Sequence, residues 1–220
     1  LTTTGLTATD GTPAVTYVSG TGDVTDSAGN EMTNSTTANA ADQVKPTLSI
    51  TMVSSTLNVG QTTTVTFTFS ETPTGFDSSD VSVASGAIGA INTTNPLVQT
   101  AVLTPTDDIE DATNIISVGT GWTDGATNAP LASSNSANYT IDTKEPTFTA
   151  SRTAVNTIVL TLSENVTATA IANSFTVAGA SNVTNTAVAN GTSITLTTTG
   201  LTATDGTPAV TYVSGTGDVT

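Results

Sequence analysis

The sequence predicts an all-β chain of small antiparallel sandwiches in tandem. Three observations carry that expectation. Thr makes up about a quarter of the 220 residues, and with Val and Ile it dominates the regularly patterned segments; branching at Cβ suits strands and disfavours helices. No window shows an apolar period of 3.6 over a helical length, whereas alternation with period two recurs. The chain also repeats itself: all 25 residues of Leu1–Thr25 return unchanged as Leu196–Thr220, an offset of 195.

A fixed offset is the mark of a repeat architecture. Two further stretches look alike, "DQVKPTLSITM" around Pro46 and "DTKEPTFTASR" around Pro146, 100 residues apart. Each has Asp, Lys and Pro-Thr before an alternating strand, and Pro there blocks further pairing as a linker requires. If the sequence past Thr220 follows that past Thr25, the next such Pro comes 95 residues after Pro146, which restores the 195-residue offset. The expected organisation is therefore a two-domain repeat. Residues 1–44 are the C-terminal part of a domain of type B, 45–143 a complete domain of type A, and 144–220 the N-terminal part of the next B. The chain reads as a window from an array. The rival reading is that neighbouring copies complete the unfinished ends by strand addition.

Within residues 45–143, seven strands are expected near "TLSITMV", "TTVTFTFSE", "SDVSVAS", "GAIGAI", "LVQTAVLTP", "NIISVGTGW" and "SANYTID". Turn signals separate them at sandwich spacing. "TVTFTF" alternates strictly, placing Val65, Phe67 and Phe69 inward and Thr64, Thr66 and Thr68 outward. Residues 144–220 offer "TFTAS", "TIVLTLSE", "SFTVAGA", "NTAVA", "SITLTTTGL" and "AVTYVSG", the last strand of that type being supplied by the "TANAAD" region at 37–42. Trp122, Tyr139, Phe148, Phe175 and Tyr212 are expected in cores or at their ends.

The composition restricts function. Net charge is −15, with three basic residues. Phosphate binding needs clustered Lys and Arg, so no nucleic-acid partner is expected. There is no Cys and no His, which removes thiol catalysis, most zinc sites and the commonest acid–base group. Paired carboxylates alone could serve glycoside hydrolysis, but here they fall on loops without an aromatic cleft, and no enzyme is expected. No apolar run has the length of a membrane span, and no leader pattern is visible.

The pattern resembles the Ig-like repeats of large bacterial adhesins and of bacterial and archaeal surface-layer or surface-filament proteins. "TFSE" and "TLSE" ending in Glu71 and Glu164, "DVSV" at Asp80, "AVLTPTDD", "DVTDSAGNEMT" at Asp23–Thr33 and "NYTIDTKEPT" carry the likeness. It implies tandem Ig-like antiparallel β-sandwiches at an extracellular cell surface. In such a sandwich the turns after strands two and six share the end where the chain enters. Glu71, Asp77 and Asp124 should then meet Asp42 of the linker, with Asp10 joining from the preceding domain. At the other end Asp107, Asp108, Asp111 and Asp142 should face Glu164, with Asp23, Asp26 and Asn30 of a full B copy beside it.

Carboxylates gathered in this way repel one another, and three basic residues cannot neutralise them. A hard cation with six to eight oxygen ligands can, so structural Ca2+ is expected at the domain junctions; junction calcium is also what the resemblance implies. The expected function is a calcium-stiffened rod or filament in a surface filament, surface layer or adhesin stalk, with copies of itself as partners. The alternative is an adhesive module for a glycan or host-surface ligand.

Overall fold

The computed structural model describes residues 14–18, 24–32, 37–170 and 174–214. They fall into two compact units, Leu1–Lys144 and Glu145–Thr220. In the first unit a short antiparallel pair joins β1 (Ala14–Thr16) to β2 (Thr37–Asn39). Then follow β3 (Leu48–Met52), β4 (Thr56–Asn58), β5 (Thr63–Phe69), β6 (Val81–Val83), β7 (Gly86–Ile88), β8 (Val98–Pro105), β9 (Glu110–Asn114), β10 (Ile116–Val118), β11 (Ser134–Asn135) and β12 (Tyr139–Asp142). One layer is the sheet β3-β5-β8-β7; β11-β10-β6 and β4-β12-β9 complete the sandwich. All these pairings are antiparallel except β4 with β12, which run parallel.

The pattern of β5 sets the core. Val65, Phe67 and Phe69 are buried, while Thr64 and Thr68 face solvent and Thr66 is half-buried. Alternation of this kind buries one face of a strand. Phe69 and Phe76 meet Trp122 edge-on at ring centroids of 5.0 Å and 6.4 Å, the geometry favoured by aromatic quadrupoles. Ile116, Val118, Tyr139 and Ile141 close the core from the opposite layer.

The second unit holds β13 (Phe148–Ala154), β14 (Thr157–Ala168), β15 (Phe175–Val177), β16 (Asn182–Asn185), β17 (Val188–Thr199) and β18 (Val210–Tyr212). β13-β14-β17-β16 repeats the plan of β3-β5-β8-β7, and β15 pairs with β18 as β6 does with β10. Ile158, Leu160, Ile194 and Leu196 form the centre of its core. Phe148, Val210 and Tyr212 are only half-buried. Arg152 donates to the carbonyls of Val155, Thr202 and Gly206, tying the β13–β14 turn to the turn at 202–206.

All the expected strands of the complete domain are present. The structure adds β4, β9 and β11 (Ser134–Asn135), and the expected "SANYTID" strand is confined to β12. β4 and β9 are the two partners of β12, and their sequences, "TLN" and "EDATN", are too short or too polar to show alternation. "NTAVA" is corrected: Asn185 ends β16 and Val188 begins β17, with the turn between them.

Candidate metal centre

At one end of the sandwich of the first unit, three carboxylates converge. Glu71 follows the last inward residue of β5 by two positions and stays buried, at 7% exposure. Asp124 follows Trp122, whose burial against Phe69 draws the next residues inward; Asp124 is 1% exposed. Asp42 is half-buried in the segment before Pro46. One carboxylate oxygen from each lies within 4.8 Å of the other two.

The three are not equally satisfied. Asp124 Oδ1 accepts the backbone N–H groups of Ala126 and Asn128, both at 2.8 Å, and Oδ2 accepts from Asn128 Nδ2 at 2.9 Å. Asn128 Nδ2 also donates to the Asp42 carbonyl at 3.3 Å. Burial acts to raise the Asp124 pKa, but these hydrogen bonds and the charge of Lys45 outweigh it and hold the group below its ordinary value. Glu71 moves the other way. Desolvation, then the charges of Asp124 and Asp42, raise its pKa. Its Oε1 is buried without a hydrogen-bond partner. A buried carboxylate oxygen facing two like charges is costly unless a cation or a proton accompanies it.

The Asp124 loop has a twin. Asp26 Oδ1 accepts from the N–H groups of Ala28 and Asn30, and Oδ2 from Asn30 Nδ2, all at 2.9 Å. The backbone closes identically, Asp26 N to Asn30 O at 2.9 Å and Asp124 N to Asn128 O at 3.0 Å. The left-handed position is Gly29 in one loop (φ 87°) and Thr127 in the other (φ 71°). Asn128 was not singled out from the sequence, although the signal is present: "TDGATN" at Thr123–Asn128 and "TDSAGN" at Thr25–Asn30 share Thr-Asp-x-Ala-x-Asn.

Of the acids expected at this end, Asp42, Glu71 and Asp124 come together. Asp77 does not join them. It is exposed and caps the short 3-10 turn Ser78–Asp80, accepting from Ser79 N at 2.7 Å, while Asp80 accepts from Asp77 N in a reciprocal capping box. The Ser79 hydroxyl, and then the Ser79 N–H, donate to the Asp77 carboxylate and hold its pKa low, and local capping explains an Asp there without a metal. Asp10 and Asp23 lie outside the described residues. Asp26 and Asn30 are exposed and satisfied by each other.

Asp107, Asp108, Asp111 and Asp142 belong to the first unit and none is in the cluster. Asp107, Asp108 and Asp142 are exposed, Asp108 with φ 59° in a turn. Asp111 is half-buried and accepts from Thr113 N at 2.9 Å. Glu164 sits half-buried within β14 of the second unit.

Residues 42–141 match the family described as bacterial Ig-like domain. Over those 100 of the 220 residues the chain is similar to that family, and its fold there is an Ig-like β-sandwich. The Ig-like span begins at Asp42 and contains all three clustered carboxylates. A solved structure of the Escherichia coli adhesin FdeC is similar at a TM-score of 0.41 and 14% identity, over 85% of this chain and 71% of that one. No curated protein matches the chain. Among the described residues, no helix is long and apolar enough to cross a membrane.

Proposed function

We propose that the chain is an extracellular, structural repeat module of a bacterial surface protein, and that its Ig-like domain binds Ca2+ through Asp42, Glu71 and Asp124. The observation that supports the cation is the Glu71 Oε1 atom, buried and unpartnered beside two other carboxylates. The donor set is all hard oxygen, without His or Cys, which suits calcium and not zinc. Bound there, the cation would neutralise the cluster and fix the segment before Pro46 to the body of the domain. A linker fixed in that way turns a hinge into a stiff joint, which is what a rod made of repeats needs.

The test is calorimetric titration of the full chain with CaCl2, beside thermal melts in EDTA and in calcium. Binding with a raised melting temperature is the expected outcome, lost in Glu71→Gln. Absence of heat and an unmoved melting temperature would refute the cation reading.

A further inference from the structure

Asn92, Thr93 and Thr94 form an Asn-x-Thr triplet, the acceptor pattern for N-linked sugar on secreted chains. The Asn-x-Ser/Thr pattern also occurs at Asn34, Asn138, Asn165, Asn182 and Asn190. In a chain so rich in Thr such triplets arise by chance, and the sequence alone selects none of them. The structure separates them by access.

Sugar transfer requires the Asn and the two residues after it to enter an enzyme's site together. At Asn138, Asn165 and Asn182 the middle residue is buried, being Tyr139, Val166 and Val183. The Asn138 side chain is also engaged, its Nδ2 donating to the Ala112 carbonyl at 3.0 Å. Asn165, Asn182 and Asn190 lie inside β14, β16 and β17. Asn34 is outside the described residues. Asn92, Thr93 and Thr94 are all exposed, and they sit in the connection between β7 and β8, where a surface loop can be reached by a partner enzyme.

The Asn92 side chain is already posed as an acceptor. Its backbone is anchored on β8, Asn92 N to Thr100 O at 2.7 Å and Thr100 N to Asn92 O at 3.2 Å. Its Oδ1 accepts from Thr94 Oγ1 at 2.7 Å and from Thr94 N at 3.0 Å. Two donors on the amide oxygen draw charge from the amide and make its N–H more acidic. Nδ2 donates to no other described residue. Directly opposed residues of an antiparallel pair share a face, so Asn92 projects from the outer face with Thr100. Val98 and Val102 flank Thr100 there, 37% and 46% exposed. None of the four strands of that sheet holds a charged residue, and a neutral sugar meets no buried or repelled charge on it.

We propose that Asn92 carries an N-linked glycan, transferred from a polyprenyl-diphosphate-linked oligosaccharide. Nδ2 attacks the anomeric carbon of the first sugar. The N–C bond forms as the bond from that carbon to the diphosphate oxygen breaks, the polyprenyl diphosphate leaves, and the amide gives up one proton to a base of the transferase. Nothing is oxidised or reduced. The proposal rests on the extracellular part of the reading above and not on the cation.

The test is peptide mass spectrometry on the protein recovered from the surface of the cells that make it. Fragment masses should place a sugar on Asn92 and leave Asn138, Asn165, Asn182 and Asn190 bare. Thr94→Ser keeps the hydroxyl and should keep the sugar. Thr94→Ala, at an exposed position whose loss leaves the melting curve in place, should leave Asn92 bare. Surface protein with a bare Asn92 overturns this proposal alone, as does equal occupancy of the triplets inside strands or a sugar that survives Thr94→Ala. Protein recovered only from inside the cells overturns the extracellular reading and this proposal with it.

Discussion

The two units contain the same four-stranded sheet and differ in what covers it. In the first, Ile116 and Val118 of β10 are both 0% exposed, with β11 and β6 on either side. In the second, their counterparts Val210 and Tyr212 are half-buried. Trp122 lies over Phe69 in the first unit. Leu162, which matches Phe69 in strand register, instead helps Phe148, Phe175 and Tyr212 line a cleft of about 360 Å³. The strands are equally apolar in both places. What differs, among the described residues, is the number of paired strands on either side, so burial here belongs to the assembled layer and not to the strand that carries the residue.

The largest effect should come from removing the residue that closes the complete core. Trp122→Ala is expected to cost about 3–5 kcal/mol, the range for a buried aromatic truncated to Ala. Hydrogen exchange should accelerate in β5 and β10 while β14 and β17 keep their protection; equal acceleration in both units would erase the contrast between them. Next, Ile116→Ala should cost about 2–4 kcal/mol, and Val210→Ala, at the matching half-buried position, only about 1 kcal/mol, measured by denaturant unfolding followed through exchange in each unit.

The twin loops give a third comparison. Asp124→Ala removes a charged acceptor of three hydrogen bonds from a buried site and should cost about 2–3 kcal/mol. Asp26→Ala breaks the same bonds in water and should cost clearly less.

The pH dependence of the cluster separates its members by sign. The folded-state pKa of Glu71 is raised, so in EDTA Glu71 contributes increasing stability as pH falls through that raised value to its ordinary 4.5. Asp124 is lowered, so its contribution is present above its ordinary 3.8 and is lost as pH falls through the folded value. Melting in EDTA should therefore rise on mild acidification before it falls, and Glu71→Gln should abolish the rise. The smallest change is a gain: Thr127→Gly places in the second loop the residue that the first already has at φ 87°. Relief of a left-handed β-branched residue, less the entropy of Gly, should stabilise by about 1 kcal/mol or less, read as a small rise in the first unit's unfolding midpoint.

Strand alternation made β5 legible from the sequence, because Val65, Phe67 and Phe69 alternate with Thr over a long run. β4 and β9 were not legible, since β4 has three residues and β9 is mostly polar, and their places are set by β12, which arrives later in the chain. Among the acids, Glu71 and Asp124 could be brought together by reasoning about which turns share an end of a sandwich. The same reasoning included Asp77, which local capping by Ser79 and Asp80 holds apart. Asn128 escaped notice because its role is to orient Asp124, and orientation leaves a trace only when the two Thr-Asp-x-Ala-x-Asn stretches are laid side by side.

The parallel pairing of β4 with β12 has a mechanical consequence. The chain enters the Ig-like domain ahead of β3 and leaves it through Asp142, and Thr56, Leu57 and Asn58 run in the same direction as Thr140, Ile141 and Asp142. Tension on the two ends drags these strands past each other lengthwise. The ladder bonds, with Thr140 N to Ser55 O at 2.9 Å, are then loaded together and cannot be opened one at a time as in a zipper. The first and last parts of the domain thus act as a shear clasp, and pulling force must break the whole clasp at once before the core beneath it, Tyr139 and Ile141 included, is exposed to water.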